Sequence, residues 1–365
     1  HSFPTRRSSD LYKTSPVLYE KNPREKKYPA SLTKVATAIY AIEKGNLEHE
    51  VSVSQAARVT EGTRVYLEEG EKVPLRKLIQ GLLINSGNDA GVAIAEHLDG
   101  SVERFAKKMN DYLAEIGTKD TVFKNPHGLF NPDHVTSAND LALITQYAMK
   151  NEEFRKIFGT TELPWNGESW DTTLFTHHKL MRERPYDGVT GGKTGYVDQS
   201  GNTLITTAQR DNINLIIVTL EGSSQEIAYK DTTVLLDYAF SHYTTTRIPK
   251  GTTIPMGKGV FKTEKDYYFT QPIDQKVTMR IDSNGELKIL DENQVIISSF
   301  QIENLLPKPQ QKNKEMDGPV RNEGDGDFII YIMGFTILSL MAWRTLYLIK
   351  RKKKYGFRNS EQNGF

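Results

Sequence analysis

Apolar residues recur every three to four positions in two early stretches of the chain, which is the period of an amphipathic helix. Gly45, a residue typical of helix ends, follows the first stretch, and a polar, Gly-containing segment at 85–89 follows the second. A third helix is predicted over residues 90–98. The apolar positions are Leu32, Val35, Ala36 and Ile39 in the first stretch, and Leu75, Leu78, Ile79, Leu82 and Leu83 in the second.

Strand-like segments come later in the chain, at residues 202–208 and 214–220, and a polar turn at 209–212 joins them. Helices and strands mix here without a strict βαβ alternation. That mixture favours a layered α+β domain over residues 12–245. A chain of 365 residues is long enough for such a core and a smaller second domain.

Residues 246–305 have the pattern of a small all-β domain. Apolar and polar residues alternate on both sides of Asn284-Gly285, a dipeptide that is a strong hairpin signal. Residues 306–327 are polar and contain several Pro and Gly residues, so a flexible stalk is predicted there.

The segment 328–349 is strongly apolar, and as a helix it would be about 33 Å long, enough to cross a bilayer core. The basic run 350–354 follows directly. By the positive-inside rule, the tail 350–365 is cytoplasmic and the upstream domains are outside the cell membrane. A buried core helix is the alternative, and the basic flank disfavours it. The sequence therefore predicts a single-pass cell-membrane anchor that holds the α+β domain on the extracytoplasmic side.

Charge and composition exclude several functions. Lys and Arg (47) balance Asp and Glu (46), and the charges are mixed along the chain, so no nucleic-acid partner is expected. Cysteine is absent, which excludes disulfides, thiol nucleophiles and Cys-ligated metals. Residues 1–11, HSFPTRRSSDL, resemble the translation of a sequencing-library adapter, and we exclude them as an artefact.

One pair of polar residues has the spacing of a nucleophile and its base. Ser31 and Lys34 are three residues apart, so on a helix they share one face. A serine is a weak nucleophile until a base removes its proton, and a buried lysine near another positive charge can be that base. Lys193 can supply the neighbouring charge. A helix start at Ser31 would also aim backbone N–H groups at a developing oxyanion.

Two further motifs offer groups that can handle a peptide substrate. In the Ser86-Gly87-Asn88 turn, Ser86 can relay a proton to the leaving group and Asn88 can hold a peptide backbone. In Lys193-Thr194-Gly195, Thr194 and Lys193 can bind a substrate carboxylate. Taken alone, the three motifs are more typical of a helix cap, a turn and a loop. Their occurrence together and in this order is a strong signal for one catalytic site.

The chain resembles the low-molecular-mass penicillin-binding proteins, specifically the serine-type D-Ala-D-Ala carboxypeptidases of the peptidase S11 kind. The resemblance covers about residues 12–240, and it implies the serine β-lactamase-like transpeptidase fold, an antiparallel sheet with helices packed against it. Besides the three motifs it rests on 28–30 (YPA), 82–95 (LLINSGNDAGVAIA), 123–128 (FKNPHG), 186–195 (YDGVTGGKTG) and 235–240 (LLDYAF).

The resemblance also implies roles for individual residues. Ser31 is the acylated nucleophile and Lys34 the base, and Ser86 and Lys193 belong to the other catalytic motifs. The backbone N–H groups of Ser31 and Tyr196 form the oxyanion hole. Asn88, Thr194, Gly195 and Tyr196 bind substrate. The substrates are peptidoglycan stem peptides ending in D-Ala-D-Ala, β-lactam antibiotics acylate Ser31, and no cofactor is needed.

Some features depart from the family pattern. Foreign-looking residues replace the strand that precedes the nucleophile helix. A family arginine that helps to hold the substrate carboxylate falls near Ala228, so Lys230 or Thr194 would have to compensate. We expect no metal at His177-His178, because adjacent residues face different ways and no carboxylate follows at ligand spacing. We expect His127 to be structural. Trp165 and Trp170 are expected in a surface loop that borders the site.

Two other functions stay open from the sequence. A class A-like β-lactamase is one, because Glu162 and Asn166 have the Glu-x-x-x-Asn spacing of its deacylating loop. However, the pair lies much further past the second motif than in those enzymes. The other is a catalytically idle cell-wall-binding protein. The complete set of motifs counts against it, since an idle protein need not retain Ser31, Lys34 and Lys193 together.

Overall fold

Local capping signals determine where most helices of the catalytic region begin and end. Ser101 accepts a hydrogen bond from the Arg104 N–H at the start of one long helix, and Gly117, with φ of 110°, ends it. The computed structural model describes residues 16–257 and 259–302. A 3₁₀ turn, Ala30–Leu32, leads directly into the first helix. The helices are α1 (Thr33–Lys44), α2 (Gln55–Arg58), α3 (Leu75–Ile84), α4 (Asn88–Asp99), α5 (Val102–Ile116), α6 (Ala138–Ala148), α7 (Glu152–Phe158) and α8 (Gln225–His242).

The predicted helix faces are buried. All the apolar positions that defined α1 and α3 belong to one large core formed mainly by α1, α3, α4 and α5. Full burial of one such Leu or Ile side chain stabilises the fold by about 1.5–3 kcal/mol. This core therefore fixes the helices that carry two of the three motifs.

A central antiparallel sheet carries the third motif. Its strand order is β5-β6-β7, and α8 packs on β6 and β7. The middle strand, β6, is buried along most of its length, because β5 and β7 flank it and α8 packs on it. The strands of this region are β1 (Glu50–Ser52), β2 (Lys72–Pro74), β3 (Glu162–Asn166), β4 (Asp171–Phe175), β5 (Val189–Val197), β6 (Gly201–Arg210) and β7 (Ile213–Gly222).

One feature of this region was not anticipated, and one expectation needs correction. The Lys193-Thr194-Gly195 motif, which taken alone is more typical of a loop, lies within strand β5. Glycine is a poor strand former, but these glycines admit close neighbours; a Cβ on Gly192 would lie 2.2 Å from the His178 ring. Trp165 was expected in a surface loop, yet it is fully buried in the β3–β4 hairpin, where Gly81 leaves room for its ring.

The last described part consists only of strands. They form two two-stranded sheets, β8-β11 and β9-β10, and one three-stranded sheet, β12-β13-β14, around a separate apolar core that includes Ile254, Leu287 and Ile289. The predicted hairpin at Asn284-Gly285 joins β12 to β13. The strands are β8 (Tyr243–Ile248), β9 (Thr253–Met256), β10 (Gly259–Lys262), β11 (Tyr267–Pro272), β12 (Thr278–Ile281), β13 (Glu286–Leu290) and β14 (Ile296–Gln301).

Four predicted segments, 1–11, 306–327, 328–349 and 350–365, lie outside the described residues. Within 16–257 and 259–302, none of the helices is both long and apolar enough to cross a bilayer. The domain boundary at 245/246 stays a prediction.

Candidate active site

Ser31 lies in the middle of the 3₁₀ turn before α1. A 3₁₀ turn has three residues per turn, so a side chain three positions on is nearly eclipsed with it. Lys34 is that residue, and its Nζ lies 2.9 Å from the Ser31 Oγ. The local backbone geometry therefore brings the Ser31 hydroxyl and the Lys34 amine together, while their roles as nucleophile and base stay predictions.

The Lys34 amine is completely buried and has two further partners. It donates to Asn88 Oδ1 at 2.7 Å and to the backbone oxygen of His127 at 2.8 Å. A neutral amine has two hydrogens and one lone pair. Because two carbonyl-type oxygens take the two hydrogens, the lone pair is directed at the Ser31 hydroxyl, which then donates to it.

The electrostatics favour that neutral form. Burial lowers the pKa of Lys34 well below its ordinary value, and the charge of Lys193 lowers it further, while Asp89 acts in the opposite direction. Asp89 is itself buried, and desolvation raises the pKa of its carboxyl group although it accepts bonds from several backbone N–H groups. The site thus favours an amine that can accept a proton.

The second motif forms the turn between α3 and α4. Asn88 bridges this turn to the rest of the site, because its Nδ2 donates to Glu61 O at 2.7 Å while its Oδ1 accepts from Lys34. Ser86 stands two residues earlier, nearly buried, with φ of 64°. Among the hydrogen bonds of the described residues, none joins the Ser86 hydroxyl to Ser31 or Lys34. The structure joins Asn88 to Lys34 directly and places Ser86 in the turn that leads to Asn88.

The third motif lies on β5, against the nucleophile turn. Lys193 is nearly fully buried, its Nζ donates to Thr194 O at 2.8 Å, and desolvation lowers its pKa to about 7. A Cβ on Gly195 would lie only 2.8 Å from the Ser31 nitrogen, so the missing side chain lets the two backbones approach. The Tyr196 side chain is exposed, and its hydroxyl donates to Asp198 Oδ1 at 3.1 Å.

Sequence reasoning missed some groups around the site. The His127 carbonyl holds the base, but a backbone atom leaves no residue-type signal. His178 Nε2 lies 2.8 Å from Thr206 Oγ1, and its ring edge packs on Tyr229, so it is part of the support beneath β5. Burial, followed by the charges of Lys193 and Lys34, lowers the pKa of the adjacent His177 to about 4.

The residues behind the β-lactamase alternative, and those at the position of the family arginine, have the following surroundings. On β3, Trp165 is buried, so the alternating side-chain direction of a strand puts the exposed Glu162 and Asn166 on the other side of the hairpin. Ala228 is buried on α8, and a Cβ on Gly222 would lie 3.3 Å from its methyl group. Lys230 is exposed on the same helix.

A family model described as D-alanyl-D-alanine carboxypeptidase, peptidase family S11, matches residues 11–224, which is more than half of the chain. The chain belongs to this family. The D-alanyl-D-alanine carboxypeptidase DacF of Bacillus subtilis is 37% identical over 237 residues, which cover 64% of this chain and 61% of DacF. DacA of Haemophilus influenzae is 30% identical over 278 residues, covering 70% of this chain and 65% of DacA. The chain thus spans less than two thirds of both relatives.

Solved structures give the fold. Penicillin-binding protein 6B of Escherichia coli is 28% identical, with a TM-score of 0.65 over 77% of this chain and 88% of that one. The chain therefore has the α+β fold of the penicillin-binding proteins. The first of the three motifs begins at the Ser31 turn, the second forms the α3–α4 turn, and the third lies on β5.

Proposed function

We propose that the chain is a serine-type D-Ala-D-Ala carboxypeptidase that removes the terminal D-alanine from peptidoglycan stem peptides. One observation carries the proposal. The Lys34 amine, whose pKa is lowered by burial and then by the charge of Lys193, faces the Ser31 hydroxyl at 2.9 Å. Its hydrogens are donated to Asn88 Oδ1 and His127 O. The family membership supports the choice of substrate.

Acylation begins when Lys34 accepts the Ser31 proton. The Ser31 Oγ attacks the carbonyl carbon of the penultimate D-alanine, the new C–O bond forms, and the carbonyl oxygen becomes an oxyanion. The N–H groups of Ser31 and Tyr196 stabilise this oxyanion, and the close approach at Gly195 supports that assignment. The C–N bond then breaks, and the proton from Lys34 passes through Ser86 to the departing D-alanine amine.

Deacylation uses the same groups in reverse order. Water attacks the Ser31 ester and gives a proton to Lys34, the C–O bond to Ser31 breaks, and the proton returns to the serine oxygen. No cofactor takes part in any of these steps. The products are the shortened peptide and free D-alanine.

Substrate recognition depends on the terminal carboxylate and the peptide backbone. Lys193 supplies positive charge to the carboxylate, Thr194 a hydroxyl, and Asn88 an amide for the backbone. Ala228 offers no polar group at the position of the family arginine. Lys230 lies two residues on, about 200° around α8, so Thr194 is the better candidate to compensate.

The proposed location of the enzyme is the outer face of the cell membrane. The apolar segment 328–349 and the basic run after it support a single-pass anchor with a cytoplasmic tail. Residues 246–305 and 306–327 would then be a β domain and a stalk between the catalytic region and the anchor.

Labelling with a fluorescent penicillin tests the proposal against an idle cell-wall-binding protein. We expect wild type to be labelled and Ser31→Ala to be blank, because Ser31 carries the hydroxyl that is hydrogen-bonded to Lys34 in the described part of the chain. An unlabelled wild type would favour a catalytically idle cell-wall-binding protein over the proposed carboxypeptidase.

The lifetime of the adduct tests the proposal against a β-lactamase. We expect the penicilloyl group on Ser31 to persist for minutes in intact-protein mass spectrometry. An adduct that clears within about a second in wild type and persists in Glu162→Gln would establish a β-lactamase. The exposed position of Glu162 on the outer side of its hairpin supports the slow outcome.

A further inference from the structure

The residue before the nucleophile has an unusual backbone conformation. Ala30 has φ of 48°, a region that costs a non-glycine residue of order 1 kcal/mol or more. It is buried, and its carbonyl oxygen faces Gly128 so closely that a Cβ there would lie 1.9 Å away. The surrounding structure therefore holds Ala30 in this conformation.

The Ala30 carbonyl and the Ser31 N–H belong to one rigid peptide plane. In a trans peptide these two groups point in opposite directions. The Thr33 backbone N–H donates to Ala30 O, and so does Thr33 Oγ1, at 2.9 Å; together they fix the carbonyl on the inner side of the turn. The Ser31 nitrogen then faces β5, where a Cβ on Gly195 would be 2.8 Å from it.

A buried histidine determines where the Thr33 hydroxyl points. The Lys124 backbone N–H donates to His134 Nδ1 at 3.0 Å, so that nitrogen carries the lone pair and Nε2 carries the hydrogen. Nε2 lies 2.8 Å from Thr33 Oγ1 and donates to it. The hydroxyl hydrogen is thereby left for Ala30 O.

The surroundings of His134 keep this arrangement in one protonation state. Its ring is buried and stacks on Phe123 with centroids 4.9 Å apart. Burial, followed by the charge of Lys124, lowers the pKa of His134 to about 3, so the ring is neutral at ordinary pH.

We propose that His134 is a positioning residue that acts through Thr33 and Ala30 to aim the Ser31 N–H into the oxyanion hole. The hydrogen-bond chain runs from Lys124 N–H through His134 and Thr33 to the Ala30 carbonyl. The inference rests on the proposed acyl transfer at Ser31. It adds two residues, Thr33 and His134, that are not among the proposed substrate contacts and whose loss would impair transition-state stabilisation.

Thr33→Val and His134→Phe test the chain in the full-length protein. Each keeps most of the shape and removes the donor. We expect the acylation rate constant for a depsipeptide ester to fall at least about 10-fold, and at most by the 10²–10³-fold typical of deleting an oxyanion donor. KM should stay within about twofold, since the ground-state contacts are untouched. Thr33→Ser and His134→Gln, which each retain a donor, should recover most of the rate.

A matched control and a second substrate separate positioning from general stability. Thr145 is also a buried helical threonine, and its hydroxyl donates to Leu141 O at 2.7 Å on α6, so Thr145→Val should lose stability without losing acylation rate. Sulfur is a poor hydrogen-bond acceptor. The rate ratio of an ester to its thionoester should therefore drop in Thr33→Val and stay unchanged in Thr145→Val.

The outcomes distinguish this inference from the proposed function. A wild type that penicillin does not acylate would refute the function, whereas an acylated wild type with a folded, fully active Thr33→Val would refute only the positioning chain. If Thr33→Val does not fold, ¹⁵N-histidine NMR of wild type decides. The Nε2–H tautomer at His134 would support the chain, and the Nδ1–H tautomer would overturn it.

Discussion

A methyl group at position 195 should disable the proposed oxyanion hole formed by the N–H groups of Ser31 and Tyr196. In Gly195→Ala the new Cβ would lie 2.8 Å from the Ser31 nitrogen and 2.5 Å from Thr203 Oγ1. Carbon and nitrogen atoms that do not bond need about 3.4 Å, so the nitrogen or the strand must move by roughly 0.6 Å. Oxyanion donors work only at about 2.7–3.1 Å from the developing charge. A shift of that size therefore removes most of the benefit of one donor.

The expected loss is about 10²–10³-fold in the acylation rate constant, with the fold retained. Stopped-flow acylation by a chromogenic β-lactam measures it, and circular dichroism checks folding. Gly259→Ala is the matched control, because a Cβ there meets only Met256 O, at 3.8 Å.

The double variant Gly195→Ala/Thr203→Ala checks the cause. It relieves the contact with Thr203 but leaves the contact with Ser31, so it should not recover the rate. Recovery, or a folded Gly195→Ala with acylation within about threefold of wild type, would refute the reasoning.

Four further predictions follow from the same geometry. Lys34→Ala should lower acylation at least about 10²-fold, the low end for losing a general base, and a near-normal rate of penicillin labelling would move that role elsewhere. The acylation rate should rise with pH as Lys34 loses its proton. Lys193→Gln removes a repelling charge and so raises the pKa of Lys34, which should shift the rising limb of the pH–rate profile to higher pH. An unchanged limb would contradict the coupling between the two lysines. Trp165→Ala should lower the free energy of unfolding by about 3–5 kcal/mol in a urea titration, and a change under 1 kcal/mol would show that the hairpin is not anchored there. Deleting 328–365 should move an exported protein to the soluble fraction with D-alanine release from a small peptide intact, whereas a deletion variant that still pellets with membranes would point to a second attachment.

Local patterns in the sequence were sufficient for the helices and the turn that carry the first two motifs. The apolar period and Gly45 predicted α1, which spans Thr33–Lys44. The same holds for strands β6 and β7, whose strand-like segments and intervening polar turn were visible in the sequence. These elements are determined by residues close together in the chain, so one sequence contains the necessary signal.

The features that the sequence missed depend on contacts between distant segments. Strand β5 was not predicted because glycine is a poor strand former. Its glycines leave space for His178 and for the Ser31 backbone, which come from distant parts of the chain. The burial of Trp165 depends on the space above Gly81. The link from His134 to Thr33 joins residues 101 positions apart. Such pairs leave no local period, so the support of the site was not predictable from a single chain.

The assignment of residue roles follows the same division. The pairing of Ser31 with Lys34 was predicted from spacing, and their hydrogen bond follows from the turn that contains Ser31. The second acceptor of Lys34, His127 O, is a backbone atom that the identity of the residue does not reveal.

Digestion of a muropeptide that ends in D-Ala-D-Ala tests the central claim most directly. Wild type, Ser31→Ala and Thr145→Val would each be incubated with it, and the products read by mass spectrometry. The account predicts loss of one alanine with wild type and Thr145→Val, and an unchanged peptide with Ser31→Ala. An intact peptide with a folded wild type, or alanine release by Ser31→Ala, would contradict it.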